Sequence, residues 1–234
     1  MTNNDYIALV LVYLIIVVAL LVSLALERTG RFEGNTTRKI VHIGVGNFVF
    51  VWWMFTENWI MLVFFTIPFA ILLFLAMFKG NAISNSKIGK ISNEDGHRTG
   101  LFLYAVSITI MVAFFFHNWV AASIGIIAMT YGDAFGSLVG KRWGKHKIMH
   151  HKSVEGTLAV MFSTAIIAFI VIAFYSFLIT NGYYVGNATP NLPVPVVCLL
   201  AGAVTAVLEL LSPGQYDNLT IPTAVALVMV GVGL

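Results

Sequence analysis

The sequence has little of what soluble proteins use for their surfaces. Only 10% of its 234 residues are charged, against about 25% in an ordinary globular domain. That excludes a water-facing fold of the usual kind. Cysteine occurs once, at Cys198 inside an apolar run, so no intramolecular disulfide can form and the residue reads as a small packing group. Familiar phosphate signatures are also missing. GSLVGK and GKRWGK place three residues between their glycines and have no Ser or Thr after the lysine, so neither is a Walker A loop. DAFG and HRT are not the DFG and HRD of protein kinases. His146, His150 and His151 have neither a neighbouring Cys nor the spacing of a zinc set. No nucleic-acid partner is expected.

What the chain does have is hydrocarbon. Apolar residues make up 59% of it, and runs long enough to span a bilayer recur from end to end. Hydropathy predicts helices over about 6–26, 40–55, 59–78, 101–116, 119–139, 157–180, 193–211 and 219–234. The first run has no basic residue before it and no small-residue cleavage site after it, so it is read as a retained span. The expected fold is all-α, a polytopic transmembrane bundle of about eight spans forming a single catalytic domain over 1–234.

The thirteen basic residues are not spread evenly. Arg28, Arg31, Arg38 and Lys39 fall in 27–39. Lys79, Lys87, Lys90 and Arg98 fall in 79–100, and Lys141, Arg142, Lys145, Lys147 and Lys152 in 140–156. The alternate connections near 56–58, 117–118 and 181–192 hold none. Eight spans place every basic loop on one face, which the positive-inside bias makes cytoplasmic, with both termini outside. Arg28, Arg31 and Lys79 read simply as orienting charges.

Four polar clusters then collect on that face. The largest is YGDAFGSLVGKRWGKHKIMHHKSVEGTL, residues 131–158. Asp133 precedes Lys141 by eight residues, about 12 Å along a helix, so its carboxylate lies within the membrane, where acids mark functional sites. Asp133, Ser137 and Lys141 recur every four residues and share a helix face. Gly132, Gly136 and Gly140 form a neighbouring stripe suited to close helix packing. Lys145, Lys152, Ser153 and Glu155 lie at the entry to the next helix, where free amides attract phosphate. The second cluster, RKIVHIGVGN, brings Arg38, Lys39 and His42 to one helix start, and the third puts Arg98 at a membrane edge. The fourth, ELLSPGQYDNLTIPT, supplies Glu209, Asp217 and Asn218 around a Pro-Gly turn, so the last two helices form a hairpin with acids at its tip. Cations, amides and acids able to hold Mg²⁺ are what a nucleoside triphosphate requires. These clusters predict one wall of a cytoplasm-facing site in a membrane-embedded enzyme.

GDAFGSLVGKRWGKHKI followed by KSVEGT resembles the signature of the CTP-dependent isoprenoid-alcohol kinases, a group holding dolichol kinase, phytol kinase and the CTP-dependent diacylglycerol kinase of yeast. RKIVHIGVG resembles their early RK-x-x-H stretch, and YDNLTIP their C-terminal DN-x-x-[IV]-P stretch. RTGLFLY resembles the G-P-L-Y-Y stretch of phytol kinases. The resemblance covers about 38 to 223. Phosphatidate cytidylyltransferases are relatives of this group, but their D-x-x-D-R-x-D ending is absent here. The resemblance implies transfer of the CTP γ-phosphoryl group, with Mg²⁺ or another divalent cation, to the hydroxyl of a lipid alcohol. Dolichol, a shorter polyprenol, geranylgeraniol, phytol and diacylglycerol are all open. It further implies that Asp133, Glu155 and Asp217 are catalytic and that Lys141, Arg142, Lys152 and Asn218 serve the nucleotide region. Among the acids of these clusters, Asp133, Glu209 and Asp217 are the metal candidates. Asp133 is then either a metal ligand or the base for the lipid hydroxyl.

Overall fold

The computed structural model describes residues 1–29, 34–78, 80–86, 89, 99–149 and 152–234, with the backbone alone for 34–38. These residues divide into two compact units, Met1–Phe114 and Phe115–Leu234.

In the first unit, helix α1 runs from Asn3 to Arg28. Thr2 starts it with a capping box, its hydroxyl accepting from the Asp5 amide while the Asp5 carboxylate accepts from the Thr2 amide. That carboxylate also accepts from the Thr56 amide at 2.8 Å, which explains a fully buried acid at a helix start. Helix α2, Gly34–Gly46, gives way to 3₁₀ turns at Asn47–Phe50 and Trp52–Met54. It packs on α1 through Gly44, where a Cβ would lie 2.4 Å from that of Ala19. Helix α3, Asn58–Ala76, contains a π-helical turn at Leu62–Thr66 and packs on α4, Gly100–Phe114.

In the second unit, α5 (Trp119–Trp143) is central. Its first half is apolar all round and buried on every side from Trp119 to Thr130, as such a helix must be. A π-helical turn at Ala128–Gly132 separates that half from the polar Asp133–Trp143 half. Helices α6 (Val154–Thr180), α7 (Val194–Leu211) and α8 (Asp217–Gly231) surround it. The glycine stripe acts in packing. A Cβ on Gly136 would lie 2.4 Å from Val160 Cγ2, and one on Gly132 would lie 2.9 Å from Thr164 Oγ1, so α6 lies directly on the stripe. Gly202 lets α7 approach the Met161 carbonyl of α6 just as closely.

Five helices, α1, α3, α5, α6 and α7, are long and apolar enough to cross a membrane. Lys39–Met54, α4 and α8 are shorter apolar helices. The eight predicted runs thus fall on these eight segments, of which length and composition qualify five as spans. The described residues hold one isolated β-bridge, Lys147 with Ser153, and no strand. The chain is an all-helical integral membrane protein.

Candidate active site

The polar end of the second unit is built where three chain segments meet. The first is the last turns of α5. Asp133 and Ser137 are half-buried on it, and Lys141 and Arg142 are exposed at its end, with the Arg142 guanidinium 5.1 Å from the Trp143 ring centre. Helix α5 stops where Gly144 leaves helical geometry. Lys145 follows as an exposed loop residue.

The second segment is the connection into α6. Ser153 caps the helix, its hydroxyl accepting from the Gly156 amide at 3.2 Å. The Val154 amide donates to the His146 carbonyl at 2.9 Å. Two of the amides that the sequence offers to a phosphate are therefore engaged by the loop itself. Glu155 sits in the first turn with its carboxylate 2.6 Å from His146 Nδ1. His146 is a partner that the sequence reading considered only as a metal ligand. Nine residues separate it from Glu155, and nothing in a linear pattern marks a contact made by a folded-back loop.

The third segment is the α7–α8 hairpin. It turns at Gly214, whose φ of 60° suits glycine. Lys152 reaches back to the end of α7, pairing with Glu209 Oε1 at 2.7 Å and donating to the Glu209 carbonyl. Glu209 Oε2 is buried and without a partner among the described residues. Asp217, at the first turn of α8, is buried and accepts from the Asn218 amide at 2.8 Å and the Asn218 side-chain amide at 2.9 Å. Asn218 also donates to the Gln215 carbonyl, so its side chain holds the turn and the Asp217 carboxylate together.

These segments interact through charge. Burial, the Asp133 carboxylate and, to a lesser degree, Glu209 push the Asp217 carboxyl up to about 6, while Lys152 and the Asn218 amide oppose the rise. Asp133, Lys152, Glu209 and Asp217 thus form one electrostatic cluster. Among the described residues, no three His, Cys, Asp or Glu side chains converge tightly enough to cage a metal by themselves. A Mg²⁺ shared with phosphates needs only one or two carboxylates.

The remaining predicted residues belong to the first unit. Lys39 is half-buried on α2, and His42 is buried with its ring 3.9 Å from that of Tyr104. The Arg38 side chain and Arg98 lie outside the described residues, as do His150 and His151.

Comparison with known proteins adds a second, independent line. The chain is 30% identical over 214 residues to phytol kinase of Synechocystis sp., a match covering 87% of this chain and 82% of that protein. It is 27% identical over 147 residues to CTP-dependent diacylglycerol kinase 1 of Schizosaccharomyces pombe, covering 61% of this chain and 65% of that one. The chain belongs to the CTP-dependent isoprenoid and lipid kinase family. A probable chloroplastic phytol kinase of Triticum aestivum is 27% identical over 214 residues, covering 87% and 69% of the two chains. No family model and no solved structure matches this member of the family.

Proposed function

We infer that this protein is a membrane-embedded phosphotransferase that moves the γ-phosphoryl group of CTP to the hydroxyl of an isoprenoid alcohol of the phytol or geranylgeraniol type. The observation that carries the reading is the meeting of Asp133, Asp217, Glu209 and Lys152 at the polar end of one helical unit, in a chain whose relatives are named as kinases of phytol and diacylglycerol. Two of the three relatives named here are named as phytol kinases, which favours a phytol-type alcohol over dolichol or an acylglycerol.

The transfer forms a bond between the lipid oxygen and the γ-phosphorus and breaks the bond from that phosphorus to the β–γ bridging oxygen. CDP leaves and the hydroxyl proton is lost. Such a reaction asks the protein mainly for positioning and charge neutralisation. Lys141, Arg142 and Lys145 supply exposed cations for the phosphates at the end of α5. Asp133 and Asp217 would hold the divalent cation, which supplies charge neutralisation between the phosphates. Lys152 is held by Glu209, so it keeps the loop before α6 against the end of α7. Ser153 and Asn218 fix the two turns that present these groups.

The test is incubation of the purified protein with Mg²⁺, an isoprenoid alcohol and CTP labelled on the α or the γ phosphate. Label entering the lipid only from the γ position is the expected result. Label entering from the α position would instead identify a cytidylyltransferase, and no label from either would remove both readings.

A further inference from the structure

The loop between α5 and α6 is held at its base by one residue. His146 meets the first turn of α6 with three of its polar groups. Its carbonyl accepts from the Val154 amide at 2.9 Å. Its own amide donates to the Glu155 carboxylate, 3.4 Å from Oε1 and 3.3 Å from Oε2. Its ring Nδ1 lies 2.6 Å from Glu155 Oε1. An ionised carboxylate only accepts, so Nδ1 is the ring nitrogen that donates.

Beyond this contact the two arms of the loop are drawn together. The Ile148 amide donates to the Lys152 carbonyl at 2.8 Å, and Lys147 faces Ser153 across the single β-bridge. Ser153 in turn caps α6. The arms carry Lys145, Lys147 and Lys152, and Lys145 and Lys147 flank His146 directly. The pair is open to water, with the His146 side chain 77% exposed and that of Glu155 26% exposed. Exposed pairs add little to global stability. The effect of this one is therefore local: it fixes where the cationic loop starts relative to α6.

We propose that His146 is a positioning residue, which through Glu155 clamps the base of the cationic loop to α6 and holds Lys145 in place for the phosphates of the nucleotide. The role in nucleotide binding rests on the phosphotransferase reading above. It assigns Glu155 to the clamp and not to the reacting atoms.

Hydrogen exchange of the full-length protein in nanodiscs, without nucleotide or lipid alcohol, reads the clamp itself. His146→Ala is expected to speed exchange at the Ile148 and Val154 amides about five-fold, the upper range for one exposed pair. Glu155→Ala should do the same, and the double variant no more than either. In the transfer assay His146→Ala should raise KM for CTP about five-fold with kcat unchanged, because the loss falls equally on ground state and transition state. His146→Asn offers an N–H near the position of Nδ1 and should restore both readouts. His146→Gln replaces only Nε2 and should behave as His146→Ala. A lower kcat at unchanged KM, rescue by Gln but not by Asn, or additive effects of the two alanine variants on exchange would overturn the proposal. The two readings fail separately. If the variants open the loop but the wild type transfers no phosphate from γ-labelled CTP, the kinase reading falls and the clamp stands. If the wild type transfers phosphate and His146→Ala changes neither exchange nor KM for CTP, the clamp falls and the kinase reading stands.

Discussion

Asp133 and Asp217 carry opposite risks for the fold and for activity. Asp133→Asn keeps size and removes one negative charge from a cluster that already holds Asp217 and Glu209. The variant is expected to fold normally and to lose at least about 100-fold in turnover, the scale of a missing charge stabiliser or general base. If Asp133 served only to neutralise a buried cation, the variant would instead lose about 3–5 kcal/mol of stability, which thermal unfolding in detergent separates from a loss of turnover. Asp217 makes a pH prediction. Its carboxyl is raised from 3.8 to about 6 in the folded protein, so the folded state binds the proton more tightly than the unfolded one. Its favourable contribution to stability is therefore full below 3.8 and lost as pH rises through about 6. Ionised Asp217 is tolerated at neutral pH at a cost in stability, as functional groups often are. The limb of kcat/KM for CTP is expected to fall as pH drops through about 6, and Asp217→Asn should abolish activity while leaving stability at pH 7 unchanged or higher. A kcat/KM profile flat between pH 5 and 7 would remove Asp217 from the ionised machinery.

Elements are joined here by close approaches and one long-range ion pair. Gly202 lies where an added Cβ would fall 2.2 Å from the Met161 carbonyl, a backbone atom that cannot rotate away. Gly202→Ala is expected to destabilise the α6–α7 contact by about 1–3 kcal/mol, as overpacking does, and the melting temperature reads this directly. Lys152 and Glu209 are mostly buried and 2.7 Å apart. Lys152→Met leaves Glu209 unpaired and should destabilise more than the Lys152→Met/Glu209→Gln double variant. A double variant less stable than the single would show that the pair contributes nothing. At this scale the sequence was legible where periodicity and punctuation agree. The run of apolar residues marks α6, the Pro213-Gly214 dipeptide marks the α7–α8 turn, and four-residue glycine spacing marks the face that α6 covers. The break of α2 into 3₁₀ turns and the π turn of α3 were not legible. Both segments are predominantly apolar, and hydropathy does not register a change in hydrogen-bond step.

At the level of the whole chain, two further outcomes are expected. All basic loops should react only from the cytoplasmic side and 181–192 only from outside, read by cysteine labelling in intact cells; labelling of position 145 from outside would reverse the orientation. CTP should be preferred over ATP as donor, and equal turnover with ATP would count against the donor assignment. The sequence by itself determined that this is a helical membrane protein of a CTP-dependent kinase family, because composition, apolar run length and local motifs are properties of neighbours along the chain. It also named Asp133, Lys152, Glu209 and Asp217. What only the tertiary structure decided is which of these meet. Lys152 pairs with an acid 57 residues away, Glu155 is tied to His146, and Asp133 raises the proton affinity of Asp217 across two helices. Coulomb energy and hydrogen bonds depend on separation in space, and linear spacing constrains that only within a single helix.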